Sequence, residues 1–323
     1  MRVFSLLFSV LLFAQQPDKP ADSTTQNLVK LENVTISAIR ADINTPISFN
    51  NVEKKQIEIE NIGKDLPMVL KNLPSVVTTS DAGAGVGYTG IRIRGSDASR
   101  VNITINGFPF NDAESHGTYW VNLPDFVSSV EEIQVQRGVG TSTNGSGAFG
   151  ASININTENP SKNPFSSLSS SFGTFATFKN TLKFSTGISD SGFGFSGRLS
   201  YISSDGYIDR ASSNLKSYFV QANYNSDIFN LKILRFAGHE KTYHAWYGID
   251  AQSLKTNRKY NPAGEMYSDE GLFEGFYENQ EDNYKQDHTQ LHYEMVFNEK
   301  SSFSLCLKYT YGRGFYEEFN DLL

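Results

Sequence analysis

Two stretches gather side chains that could recognise a ligand. Residues 108–120 hold Asn111, Asp112, Glu114, His116, Tyr119 and Trp120. Residues 243–247 hold Tyr243, His244, Trp246 and Tyr247, and Tyr88 stands near the end of a glycine-rich run. Aromatic rings beside polar groups suit a bulky ligand with an apolar and a polar side. The same rings also suit interior packing, because large aromatics supply much buried area. His116 with Asp112 or Glu114 fits none of the defined metal-ligand spacings, so no metal is assigned.

Catalytic readings fail on context. Gly145 to Gly150 spells G-x-G-x-x-G. A dinucleotide site needs a helix after those glycines, and Ala151 to Thr157 alternates as a strand instead. Gly83 to Gly90 lacks the lysine of a phosphate-binding loop. Nucleophile elbow, paired-histidine helix and cysteine cluster are all missing, so an enzyme is not expected. Cys306 is the single cysteine, which excludes an intrachain disulfide framework. The net charge of −7 and pI near 5.3 give no basic footprint for nucleic acid.

The elements that must hold these residues read as strands. Val101, Ile103 and Ile105 alternate with polar residues, as do Ile133 with Val135 and Ile153 with Ile155. Asn106-Gly107 supplies a turn that tolerates positive φ. Asp65 to Leu73 is expected to be a helix, capped by Asp65, with Pro67 in its first turn and Pro74 as its stop. From Phe178 onward, five segments carry apolar residues on one side and polar or charged ones on the other; Lys183, Arg198 and Glu294 fall on the polar side. The register of residues 229–236 is left open. Connections at Gly187–Gly192, Asn225–Asp227 and Asn298–Ser302 are short, and those at Asp205–Lys216 and Thr242–Asp287 are long. Aromatic content of 13% with a mean hydropathy of −0.38 fits a transmembrane β-barrel, where alternation hides the apolar face from averages. A soluble sandwich would alternate in the same way with its apolar side inward; strict short-long alternation of the loops favours the barrel.

Three blocks in the first half resemble the plug domain of TonB-dependent outer-membrane receptors. They are Ile93 to Gly95, then Asn106-Gly107-Phe108-Pro109, then Glu132 to Gly138 followed by Gly145 to Ile155. Gln134 stands where an acidic residue is usual, and Ala151 where a glycine is usual. Leu31 to Ala38 is similar to the family's TonB box.

The resemblance implies an α+β plug domain followed by antiparallel transmembrane β-barrel strands. Residues 1–14 then read as a signal peptide, 15–40 as a periplasmic tether with the TonB box, 41–158 as the plug and 159–323 as the first ~7 strands of a barrel that has about twenty-two in this family. The ending at Leu323 reads as that of an N-terminal fragment. Implied partners are TonB, meeting Val34, Thr35 and Ile36, together with outer-membrane lipid and an extracellular ligand; no cofactor is implied. The location is the outer membrane of a Gram-negative bacterium. Arg94, Arg100 and Arg137 are expected to pair the plug with barrel acids. Expected ligand contacts are Tyr88, His116, Tyr119, Trp120, Tyr243, His244, Trp246 and Tyr247. The function implied is uptake of a scarce ligand, with a ferric siderophore or other iron chelate first and cobalamin, a glycan or a peptide open. A non-transporting adhesin or a phage or colicin receptor is the alternative.

Overall fold

The computed structural model describes residues 40–42, 44–139, 149–298 and 301–320. The expected signal peptide, tether and TonB box, and Gly145 to Ala148, lie outside the described residues apart from the end of the tether.

The first region packs β1 (Ser48–Glu53), α1 (Lys54–Glu60), α2 (Leu66–Val69), β2 (Val76–Ser80), β3 (Thr89–Ile93), β4 (Val101–Ile105), β5 (Phe108–Pro109), β6 (Val130–Arg137) and β7 (Ala151–Thr157). Its main sheet runs β1-β6-β7-β4-β5, with β4 and β7 parallel. Ile103, Ile105, Ile133, Val135, Ile153 and Ile155 from its central strands are buried in one core. The alternation seen in sequence belongs to strands covered on both sides: Asn102, Thr104, Gln134 and Asn154 are buried too. Thr104 and Gln134 are paired, while the Asn102 amide nitrogen is buried without a partner among the described residues. Gln134 accepts from the Ala41 amide at 2.8 Å and donates to its carbonyl at 2.9 Å. A carboxylate could accept there but not donate, which is why an amide suits this position.

The Asn106-Gly107 turn forms with both residues at positive φ, 51° and 82°. The Asn106 side chain then accepts from the Thr157 amide at 2.9 Å, tying the turn to the end of β7. The expected helix over Asp65 to Leu73 is shorter than the pattern implies. Only Leu66–Val69 is helical, and Asp65 does not cap it. Its carboxylate instead accepts from the Thr89 hydroxyl at 3.1 Å, so a tertiary partner has outcompeted the cap.

The second region is one antiparallel sheet of seven strands, β8 (Pro164–Phe172), β9 (Phe178–Ile188), β10 (Phe193–Ser204), β11 (Ser213–Asn225), β12 (Phe229–Tyr243), β15 (Glu281–Asn298) and β16 (Ser301–Glu317). The 244–280 connection holds α3 (Ala251–Thr256) and the hairpin β13 (Glu265–Tyr267) with β14 (Phe273–Phe276). It is shorter than the alternation suggested, because β12 runs to Tyr243 and β15 starts at Glu281, paired with each other. The open register of residues 229–236 is now defined: Phe229 faces Met295 and Phe236 faces His288.

Burial on this sheet is inverted relative to a soluble protein. Lys179, Thr181, Arg198, Ser200, Gln221, Lys232, Gln290 and His292 are buried, whereas Leu182, Leu199, Ile233, Leu305 and Leu307 are exposed. The polar side is covered by the first region, and the apolar side is left uncovered, the arrangement expected of a barrel wall. Ile233→Lys is expected to lower the stability of the complete protein in bilayers by about 2–4 kcal/mol. The readout is the urea midpoint after refolding into vesicles. An unchanged midpoint would place this side away from lipid.

Candidate functional site

Two constellations form where the plug meets the sheet. The first is buried and centred on Asp125. Leu123 and Pro124 lead into Asp125, which takes the left-handed conformation (φ 52°) before a 3-10 turn over Phe126–Ser129. This bend sends neighbouring side chains to different partners. Phe126 packs on Phe236, with ring centroids 5.0 Å apart, and on Phe219. The Asp125 carboxylate enters the polar side of β9 and β10. Its Oδ1 lies 2.6 Å from Lys179 Nζ, and its Oδ2 lies 3.8 Å from Arg198 Nη1. Thr181 donates to it at 2.7 Å, and Ser128 and Ser200 at 2.5 Å each. Burial alone would push this carboxyl up, but Arg198 and Lys179 outweigh that and hold it below its ordinary value of 3.8.

On its long-loop side the cluster is closely packed. Ser217 donates to the Pro124 carbonyl at 2.6 Å. A Cβ on Gly238 would lie 2.2 Å from the Asn122 carbonyl oxygen, so glycine is needed for the plug backbone to approach β12. Toward the short-turn end, Lys183 meets Glu158 at 2.8 Å and Lys54 meets the same carboxylate at 3.0 Å. Lys232 donates to Thr157 at 3.0 Å.

The second constellation opens at the long-loop end. A cavity of about 550 Å³ lies between plug and sheet, lined by Tyr88, Asp112, Glu114, Tyr119, Glu240 and Asp282, among others. The Tyr88 hydroxyl donates to Asp282. Burial, with Glu240 and Asp282 beside it, pushes the Tyr88 phenol up and keeps it protonated. Its ring meets Trp246 edge-on with centroids 5.1 Å apart, and Trp246 stacks on His244 at 4.0 Å. Tyr247 lies next along, 6.2 Å from Trp246, and its hydroxyl donates to Glu318 at 3.2 Å. Burial pushes the His244 imidazole down, so it is neutral near pH 7. Tyr88, His244, Trp246 and Tyr247 are thus assembled from two distant stretches into one aromatic group beside an acidic cavity.

The other expected contacts are placed differently. Trp120 is 2% exposed and packs in the plug core, so it presents no surface to a ligand. Tyr119, its neighbour, is 48% exposed and lines the cavity. His116 sits exposed at positive φ on the 112–117 turn and is not part of the cavity lining. Tyr243 donates to the Tyr277 carbonyl at 2.8 Å and to that of Ala263 at 3.2 Å, closing the base of the 244–280 loop. The glycine-rich run is docked rather than free. Tyr207 donates its amide to the Ala82 carbonyl at 2.7 Å, and Val86 is buried against Ile202 and Leu215.

The three arginines expected to reach barrel acids pair inside the plug among the described residues. Arg94 donates to the Arg137 carbonyl at 3.3 Å, Arg137 to Ser48 at 2.8 Å and to Asn50, and Arg100 pairs with Asp97. The polarity of the seam is the reverse: an acid on the plug meets cations on the wall. Sequence reading did not single out Asp125. Its signal was available, as the one ionisable residue in the apolar run Val121 to Val130, where an unpaired charge would be costly.

Residues 41–152 match the family model described as TonB-dependent Receptor Plug Domain. The vitamin B12 transporter BtuB of Vibrio vulnificus is 29% identical over 153 residues, covering 47% of this chain and 23% of that protein. The probable TonB-dependent siderophore receptor PirA of Acinetobacter baumannii is 25% identical over 169 residues, covering 48% of this chain and 22% of that protein. Among solved structures, the unliganded ferric citrate transporter FecA superposes with a TM-score of 0.64 at 15% identity, covering 84% of this chain and 41% of its own. The ferric-catecholate import receptor Fiu from E. coli gives 0.62 at 16% identity, covering 83% and 39%. These structures share the fold. The chain spans about a quarter of the length of its curated relatives.

Asp125→Ala is expected to destabilise the plug–wall seam by about 3–5 kcal/mol, because it strands Lys179 and Arg198 without their counter-charge. Asp112→Ala, on an exposed turn, is expected to change stability far less. Hydrogen exchange over residues 121–130 measures the difference, and equal protection in the two variants would deny the cluster its role. The pH dependence follows from the depressed carboxyl. Its stabilisation is complete above the ordinary value of 3.8 and is lost as the pH falls through the lower folded value. Protection over residues 121–130 should therefore hold from neutral pH to about 4 and fall below that.

Proposed function

We propose that this chain, which carries the plug domain of TonB-dependent receptors and antiparallel strands of their barrel fold, is the plug-bearing part of an active outer-membrane importer. The long-loop end would face outward and the short-turn end the periplasm. A scarce, bulky ligand would settle in the cavity between Tyr88, Tyr119 and Asp282, beneath the aromatic group of the 244–280 loop. The observation that carries this reading is that cavity, shared between plug loops and wall, above a plug anchored to the wall through Asp125.

Transport then requires the plug to move, and the buried ion pairs resist movement. Val34, Thr35 and Ile36 would add as a strand to TonB, so that force from the inner membrane reaches the plug. This is a transport role, with no catalytic step. An iron chelate is the first candidate ligand, supported by relatives named for ferric siderophores and ferric citrate. Cobalamin is the second, supported by the relative named as a vitamin B12 transporter.

Deleting Leu31 to Ala38 is expected to abolish energy-dependent uptake while leaving ligand binding to whole cells unchanged. The assay compares binding and accumulation of a panel of ferric chelates and cobalamin. Accumulation at the wild-type rate in the deletion would overturn the coupling role, and binding without any uptake by the wild type would favour an adhesin or phage receptor. Trp246→Ala is expected to weaken binding about ten-fold through loss of ring contact with the ligand and with Tyr88.

A further inference from the structure

The outward side of the sheet carries a second organised site, away from the cavity. Strand register sets its layout. Tyr201 pairs with Lys216, Lys216 with His239, His239 with Lys285 and Lys285 with Arg313. These residues form one rung across five adjacent strands. They point outward, because their neighbours Leu215, Glu240, Tyr284 and Gln286 turn toward the plug side. The next rung toward the short-turn end holds Leu199, Tyr218, Ala237, Asp287 and Tyr311, and the one after it Arg235 and Tyr309. Below these come Ile233, Leu291 and Leu307, then Leu231, Tyr293 and Leu305, and finally Phe229, Met295 and Phe303.

Asp287 organises the cations. It is buried, and it accepts from Tyr218 at 3.0 Å, from Arg313 at 3.0 Å and from Arg235 at 3.4 Å. Both guanidinium groups are held at the rim of a pocket of about 470 Å³ that Lys285, Tyr309 and Tyr311 also line. Around half of each arginine side chain remains exposed. Lys216, Lys285, Arg235 and Arg313 thus stand against a single carboxylate. Lys241, one rung higher, is already neutralised by Glu281 at 2.9 Å.

The level of this cluster identifies its partner. Ten residues separate Phe229 from His239, roughly 33 Å at about 3.3 Å per residue. A strand tilt of about 40° turns this into roughly 25 Å along the membrane normal, which is the height of the apolar band of such a barrel. Lys216, Lys285 and Arg313 therefore sit at the upper rim of the lipid-facing surface, above the tyrosines Tyr218, Tyr309 and Tyr311, and Arg235, level with Tyr309, reaches up toward them to Asp287. That is headgroup depth, where a cation is favoured by anionic lipid. Planar guanidinium groups spaced around a pocket match phosphate oxygens.

We propose that Arg235, Lys285 and Arg313 bind the phosphorylated headgroup of a lipid in the leaflet at the long-loop end, with its acyl chains lying along Leu305 and Leu307. The proposal rests on the sheet being a membrane wall. The test uses the complete receptor purified in a neutral detergent, with native mass spectrometry as the readout. The probes are a bis-phosphorylated glycolipid, its dephosphorylated counterpart with the same acyl chains, and inorganic phosphate. Wild type is expected to retain the phosphorylated lipid and to lose it as salt rises, while the dephosphorylated lipid binds about a hundred-fold more weakly. The triple variant Arg235→Gln, Lys285→Gln, Arg313→Gln should lose that preference, and Lys241→Gln should keep it. Equal binding of both lipids by wild type would overturn the proposal without any variant being needed, and so would equal competition by inorganic phosphate. Failure of the membrane-wall reading is separate: a receptor that stays soluble without detergent would show it before any lipid is added.

Discussion

Asp125 is the point at which plug and wall become one structure. The sheet turns its apolar side away from the plug, which leaves Lys179, Thr181, Arg198 and Ser200 buried against the plug. Burying such charges is costly unless they are paired. The plug answers with one carboxylate, bent into place by a left-handed residue and surrounded by hydroxyl donors. The aromatic packing of Phe126, Phe219 and Phe236 lies beside it. Charge pairing and apolar packing are therefore produced by the same bend.

The two ends of the seam differ in kind. Near the short turns, the wall's Lys183 and Lys232 are matched to Glu158 and Thr157 at the exit of β7, so the last plug strand is stitched to the wall, and Lys54 of the plug shares the Glu158 carboxylate. Near the long loops, the plug leaves space. Acidic and phenolic groups line that space, and an aromatic group from the 244–280 loop overhangs it. Separating the central charges would be costly in a low-dielectric site.

Much of this arrangement was legible in the chain. The period-2 pattern marks the wall strands, and Asn106-Gly107 marks its turn. The short-long alternation of the loops separates the two ends. The difficulties came where a local signal met a tertiary competitor. Asp65 has the sequence of a helix cap, yet its carboxylate is taken by Thr89. Trp120 sits among polar loop residues, yet it turns into the core because the plug has room there for a large ring. Arg94, Arg100 and Arg137 look like free cations until Asp97, Asn50, Ser48 and a carbonyl are brought within reach.

What the sequence by itself determined is the class of structure: where strands run, which of their sides is apolar, and which loops are long enough to hold a ligand. These depend on neighbours a few residues apart, and composition and spacing record them directly. Only the tertiary structure decided which charges meet. Asp125 and Arg198 are separated by 73 positions in the chain and touch only because β10 packs on the Leu123–Ser129 bend. Tyr88 and Trp246 become one group for the same reason. Pairing across such distances is set by the three-dimensional closure of plug on wall, for which no local periodicity carries a trace.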